Sequence, residues 1–209
     1  MPMVHPNAAA IDVGATMHTA VRADCAPEPV RSFGSFTADL HRLVDWFTEC
    51  GVETVVIEST SVYWIPVFEF LDARGFTVFL VDARCQARAG AQDRCQRCAM
   101  AQRLHSFGFA TRQLSAQRAH CRAASLRASP RASAGVRGLI IQHMQKALTE
   151  MNLQLAPLVP EITDATGLRI IRAIIPSERD PEALAYLRHY SCHSSAETIP
   201  KALTGIYRA

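Results

Sequence analysis

Apolar and polar positions alternate in a regular way over the first 83 residues, and this pattern predicts a sheet flanked by helices. Apolar runs bounded by Gly or Pro are typical of buried strands, and a 3.6-residue apolar period is typical of amphipathic helices. The order of three strands, helix, strand, helix, strand predicts an α/β domain with parallel central strands. The predicted strands are 8–13, 18–23, 30–36, 54–58 and 76–81, and the predicted helices are 38–50 and 63–74.

This order of elements is that of the ribonuclease H fold, and two acids lie at strand ends within it. Asp12 is near the end of the first strand, just before Gly14, and Glu58 ends the strand at 54–58. A buried carboxylate is costly unless it binds something cationic. Two acids at adjacent strand ends match the preference of Mg²⁺ for one or two carboxylates with phosphate oxygens and water. We therefore predict a divalent-metal site at Asp12 and Glu58. The alternative is that Asp12 is a structural strand-end residue.

A cluster of arginines follows the predicted sheet. Eleven arginines and a single acid, Asp93, lie between Arg84 and Arg137, although the net charge of the whole chain is only +3. A basic stretch of this kind is typical of a nucleic-acid surface. It is also typical of a solvated arm, so the charge alone leaves both interpretations open.

Length and composition set wider limits. A chain of 209 residues with 49% hydrophobic content can bury one good core, with an appendage. We expect neither a signal peptide nor a membrane span, because no apolar run approaches about 18 residues. Seven cysteines, an odd number, indicate free thiols in a reducing compartment. These features predict a cytoplasmic protein.

Six motifs along the chain share one resemblance. They are Ile-Asp-Val at 11–13, Ile-Glu-Ser-Thr-Ser-Val-Tyr-Trp-Ile-Pro at 57–66, Ala-Arg-Gly-Phe at 73–76, Leu-His-Ser-Phe-Gly at 104–108, Ile-Gln-His-Met-Gln-Lys-Ala-Leu at 141–148 and Glu-Arg-Asp-Pro at 178–181. Together they resemble the transposases of the insertion sequence 110 family, close to its 1111 subgroup. The resemblance implies a RuvC-like domain with four acids that bind Mg²⁺, a long helical segment and a second domain with a serine nucleophile. It also implies DNA recombination guided by an RNA from the element.

The resemblance assigns the first acid to Asp12 and the second to Glu58, both as catalytic metal ligands. The other two should lie on the helix before Leu104, in the pattern Thr-Asp-Val-x-Asp-Ala-Gln-Trp-Leu. Counting back from Leu104 without gaps places Arg94 and Arg97 at those positions. An arginine cannot ligate a cation, and its charge repels one. We therefore expect a DNA transposase by descent that is catalytically impaired.

The departure at Arg94 and Arg97 has a genetic interpretation. When residues 91–101 are back-translated and read one base later, synonymous codons yield Arg-Lys-Thr-Asp-Val-(Ser or Asn)-Asp-Ala-Gln-Trp-Leu, which is the family motif. The same shift permits family-like strings within 112–138. We interpret both patches as out of frame, which would make the arginine cluster an artefact of frame rather than a nucleic-acid face. The nucleotide sequence of codons 90 to 140 would decide between these interpretations.

The expected domain organisation follows the resemblance. Residues 1–110 should form the RuvC-like domain, and 111–156 a helical segment interrupted near 129–138, where a proline and a glycine disfavour helix. Residues 157–209 should begin a truncated second domain that stops before the serine nucleophile. The expected partners are DNA, an element-encoded guide RNA and further copies of the chain, with no membrane. The alternatives are a non-catalytic nucleic-acid-binding remnant and a product without function.

One weaker pattern suggests a different chemistry. Cys95 and Cys98, with Cys85 and His105, are spaced like part of a zinc site. No second cysteine pair occurs at the usual spacing, and the out-of-frame interpretation accounts for these cysteines. We therefore favour the acid pair over zinc as the functional site.

Overall fold

The structure is a computed structural model that describes residues 2–22, 28–59, 62–82, 93–109, 133–190, 192 and 194–207. The chain divides into two compact units. The first comprises residues 1–35 and 39–126, and the second comprises residues 36–38 and 127–209. Each unit has a hydrophobic cluster of its own. Among the described residues, no helix is both long and apolar enough to cross a membrane.

A five-stranded mixed sheet forms the centre of the first unit. The strand order is β3-β2-β1-β4-β5. The pairs β1–β2 and β2–β3 are antiparallel, whereas the pairs β1–β4 and β4–β5 are parallel. This confirms the predicted ribonuclease H-like α/β architecture. The elements are β1 (Ala8–Val13), β2 (Met17–Arg22), β3 (Val30–Gly34), α1 (Thr37–Glu49), β4 (Thr54–Ser59), α2 (Trp64–Ala73), β5 (Thr77–Asp82) and α3 (Arg94–Ser106).

Helices cover both faces of this sheet, and the alternation along β1 explains how. Successive side chains of a strand point to opposite faces. Ile11 packs with α1 and α2 in the main cluster, whereas Ala10 packs with Cys98 and Ala101 of α3. β1 is therefore buried along its whole length, which explains why it is almost entirely apolar.

The main cluster of the first unit is built on helical periodicity in α1. Four apolar residues at spacings of three and four lie on one face and are at most 1% exposed: Leu40, Leu43, Val44 and Phe47. α1 is followed by Gly51, which has a φ of 65°, a conformation that glycine adopts without strain. Trp46 and Trp64 are also buried in this core.

The second unit is helical. It contains α4 (Ser133–Glu150), α5 (Ala165–Ile174), α6 (Pro181–Tyr186) and α7 (Thr198–Leu203). Asp164 caps α5 by accepting a hydrogen bond from the Gly167 amide at 2.7 Å. Asp180 caps α6, with Pro181 in the first turn.

Within the predicted interruption at 129–138, the structure describes only residues 133–138, and these belong to α4. Residues 129–132 lie outside the described residues. A glycine costs only about 1 kcal/mol relative to alanine within a helix, which does not interrupt a helix of 18 residues. α4 also ends at Glu150 rather than continuing to Leu155, because Asn152 adopts a left-handed conformation with φ 53°.

Candidate active site at Asp12 and Glu58

The two acids predicted from the sequence are neighbours in the sheet. Asp12 and Glu58 are register partners on the parallel strands β1 and β4. Register partners of adjacent strands point to the same face, and here that face is the one covered by α3. Both residues are buried, with exposures of 6% and 4%. The structure therefore brings the predicted pair together at the carboxyl ends of two parallel strands.

The pair carries an electrostatic cost. The pKa of Glu58 is raised, mainly because burial disfavours the charged carboxylate and further because the Asp12 carboxylate is close. The positive charge of Arg97 opposes this rise. A pair of acids in this position requires positive charge nearby, and the chain itself provides it.

α3 lies along the sheet and makes a series of polar contacts with it. Arg94 and Arg97 contact Asp12, Cys98 lies against the backbone of β1 and β2, and Gln102 donates to the Ala8 carbonyl at 3.2 Å. The helix thus begins at the carboxyl end of β1 and runs towards its amino end. This direction brings the first turn of α3 to the acid pair.

Both arginines of that first turn bind the same oxygen. Arg94 Nε lies 3.2 Å and Arg97 Nη2 lies 3.0 Å from Asp12 Oδ2. Arg94 Nη2 also lies 3.3 Å from the Met17 carbonyl. Gly14 leaves room for this guanidinium, since a Cβ at that position would collide with Arg94 and with the Met17 carbonyl. We therefore identify Gly14 as a positioning residue that the sequence pattern alone did not reveal.

The residues present do not fit a divalent metal ion. A metal of this kind needs carboxylate oxygens that are open to it, and Asp12 Oδ2 is already bonded to two guanidinium groups. In the part of the chain that the structure describes, no group of three or more His, Cys, Asp or Glu residues could hold a metal. No reaction step can therefore be assigned to a metal at this site.

The cysteines of the alternative zinc pattern do not converge. Cys95 is exposed, whereas Cys98 is fully buried, 3.3 Å from the Ala10 carbonyl and 3.2 Å from the Thr19 carbonyl. Burial raises the pKa of the Cys98 thiol, so that it remains protonated and can donate to either carbonyl. Cys98 is thus a packing residue of α3, and Cys85 lies outside the described residues.

Two buried histidines lie close to this framework. His105 Nε2 is 3.1 Å from Thr54 Oγ1, and its ring stacks on His5 with centroids 4.7 Å apart. His18 lies on β2 next to the β1 strand end. Among the described residues, the Nδ1 atoms of His18 and His105 have no hydrogen-bond partner. Burial lowers the pKa of both to about 4, assisted by Arg94 for His18 and by His5 for His105.

These lowered pKa values predict that the first unit loses stability in mild acid. A base whose folded pKa is depressed stabilises the fold above its unfolded pKa of 6.5, and this stability is lost as pH falls towards about 4. Between pH 7 and pH 5 each histidine should cost about 2 kcal/mol of unfolding free energy. Urea unfolding at the two pH values measures the loss.

Two variants test whether the loss of unfolding free energy in acid arises from His105. His105→Gln should reduce the difference between pH 7 and pH 5, whereas His41→Gln should leave it unchanged, because His41 is exposed on α1. An identical pH dependence in the two variants would contradict the assignment to His105.

The fold and the acid pair define the class of protein. A 3-2-1-4-5 mixed sheet with acids at the ends of its first and fourth strands is the framework of a ribonuclease H-like, RuvC-like domain. Residues 9–97 match the family model of the DEDD transposases of the insertion sequence 110 family, which is described as a transposase. Over that segment the chain is similar to this transposase family. A search of curated proteins found no match to the chain.

Proposed function

We propose that this chain is a DNA-binding derivative of a transposase that no longer cleaves DNA with the help of a metal. The observation that carries the proposal is the convergence of Arg94 and Arg97 on Asp12 Oδ2. Metal-dependent nucleases use acids to hold cations that activate the nucleophile and stabilise the leaving oxygen. A carboxylate neutralised by two guanidiniums cannot take that part.

The proposal assigns definite parts to the four residues of the site. Asp12 and Glu58 are the remaining acids of the ancestral metal site, and Mg²⁺ is the ion that an intact relative would hold there. Arg94 and Arg97 stand where the other two acids would be. This assignment is supported by the position of both arginines on the first turn of α3, which is the turn that contacts Asp12.

The partners in the proposal are nucleic acids. The transposase family implies DNA as a partner, and we propose an element-encoded guide RNA and self-association as further features, acting in the cytoplasm. The positive charge supports this whatever the genetic origin of the arginine cluster, since eleven of the chain's 22 basic residues lie between Arg84 and Arg137. A basic stretch binds phosphates with an affinity that falls steeply with salt.

The proposal predicts that the purified chain cuts no DNA. We expect no cleavage or strand exchange in Mg²⁺ or Mn²⁺ above the level found with EDTA, because the site cannot hold the ion. Labelled duplex and branched DNA substrates resolved on denaturing gels provide the measurement. Asp12→Ala serves as the control, and metal-dependent recombination that this substitution abolishes would contradict the proposal.

DNA binding separates the proposal from its alternative. We expect the wild-type chain to retard labelled DNA in a mobility-shift assay, with an apparent affinity that falls as salt increases. Asp12→Ala should bind as the wild type does, since the acid pair is not required for phosphate contacts. Absence of any DNA binding at low salt would favour a product without function.

A further inference from the structure

We propose that Arg94 and Arg97 act as tethered cations that hold α3 on the sheet in the place of a divalent ion. We call the set of Asp12, Arg94 and Arg97 the arginine latch. In a site with four acids, the helix and the strands would repel each other until a cation was bound. Here the charges on the helix are reversed, so that the same interface attracts without any ion.

The contacts of α3 with the sheet show where the latch acts. The middle of α3 is held by two small buried side chains, Cys98 and Ala101, which pack with Ala10 and Val56 of the sheet. In the first turn, Cys95 and Gln96 are exposed, and the two ion pairs attach this turn to β1.

Burial of the Asp12 carboxylate distinguishes these ion pairs from ordinary surface pairs. The Asp12 side chain is 9% exposed, and those of Arg94 and Arg97 are 37% and 31% exposed. The pair between Arg74 and Asp45 provides a comparison, since its side chains are 44% and 53% exposed at a separation of 2.9 Å. Exposed pairs contribute little because water screens them, whereas removing one partner of a largely buried pair leaves an uncompensated charge.

Two further features favour positive charge beside Asp12. The Asp12 carboxylate lies at the amino end of α3, where the helix dipole is positive and stabilises a negative charge. Gly14 provides the space that the Arg94 guanidinium occupies. A divalent ion approaching Asp12 would have to displace both guanidiniums, so the fold should not respond to such an ion.

Thermal unfolding of the full chain tests the latch. Asp12→Asn should lower the melting temperature by about 3–6 °C, whereas Asp45→Asn should change it by less than about 1 °C. Arg94→Gln with Arg97→Gln should also lower it, and adding Asp12→Asn to that pair should lower it no further, because the three residues act together. Mg²⁺ should leave the melting temperature of the wild type unchanged.

A second readout follows the opening of α3 directly. Alkylation of Cys98, measured by peptide mass spectrometry relative to the exposed Cys95, should be slow in the wild type and faster in Asp12→Asn. If that variant fails to fold, Arg97→Gln is the milder substitute. The latch would be overturned by an unchanged or raised melting temperature in Asp12→Asn, by unchanged protection of Cys98, or by stabilisation of the wild type by Mg²⁺.

This inference rests on the proposed function in one respect, since both treat Asp12 and Glu58 as the remains of a metal site. The two can fail separately. Metal-dependent cleavage would remove the proposed function, whereas an Asp12→Asn chain as stable as the wild type would remove only the latch.

Discussion

Replacing Arg94 and Arg97 by aspartate is expected to make the stability of the first unit depend on a divalent cation. The double substitution removes both ion pairs with Asp12 and sets four carboxylates close together. In EDTA we expect the free energy of unfolding to fall by about 2–4 kcal/mol. Mg²⁺ at about a hundred times its dissociation constant should restore about 2.7 kcal/mol. Urea unfolding with and without Mg²⁺ measures both quantities.

Two controls separate this effect from a general change in charge. Adding Asp12→Asn to the double variant should weaken the response to Mg²⁺, because one ligand is lost. Replacing two exposed arginines of the same unit, Arg42 and Arg74, by aspartate changes the net charge equally and should produce no response to Mg²⁺. An equal response in this charge-matched control would show that the metal binds elsewhere.

Phe47→Ala is expected to destabilise the first unit by about 3–5 kcal/mol. Phe47 is fully buried on α1, and its ring lies next to those of Trp46 and Phe76. Removing the ring leaves a cavity between α1 and the sheet, on the face opposite to α3. The cavity also weakens the packing of α1 against β1, the strand that carries Asp12. Chemical unfolding followed by tryptophan fluorescence reports the loss, since both tryptophans lie in this core.

The matched control for this substitution is Glu49→Ala, two residues further along the same helix. Glu49 is exposed, so its removal should change the unfolding free energy by no more than about 0.5 kcal/mol. Similar losses for Phe47→Ala and Glu49→Ala would contradict the placement of α1 on the sheet.

The sheet and its acid pair could be predicted from the sequence because their signals are strong. β1 and β4 are short apolar runs, and each carries an acid at or near its end. Carboxyl ends of parallel strands meet at one edge of a sheet, so the order of elements, read as a ribonuclease H-like fold, predicted that Asp12 and Glu58 lie close together. The predicted bounds differ from those found by at most two residues, as expected where the ends of elements fray.

α3 could not be identified from apolar periodicity. The residues that face the sheet are small or polar: Cys98, Ala101, His105 and Ser106. Their spacing of three to four is helical, but they lack the bulk that makes a buried face visible in a sequence. Small side chains let the helix approach the sheet closely, and for that reason the apolar signal is weak.

The role of the two arginines could be predicted only in part. The resemblance placed Arg94 and Arg97 at the positions of two acids, and from this we expected repulsion of a cation. Their attraction to Asp12 depends on the register of α3 against β1, which is set by contacts such as that of Gln102 with the Ala8 carbonyl. Contacts of this kind between distant segments are not encoded in a local pattern.

Calorimetric titration of Mn²⁺ into the wild-type chain and into Arg94→Asp/Arg97→Asp tests the central claim most directly. The claim is that the two arginines occupy acid positions and close the site to cations. We expect any binding of Mn²⁺ to be at least about tenfold tighter in the double variant than in the wild type, equivalent to about 1.4 kcal/mol. Equal affinity in the two chains would contradict the claim and would require the assignment of Arg94 and Arg97 to the acid positions to be abandoned.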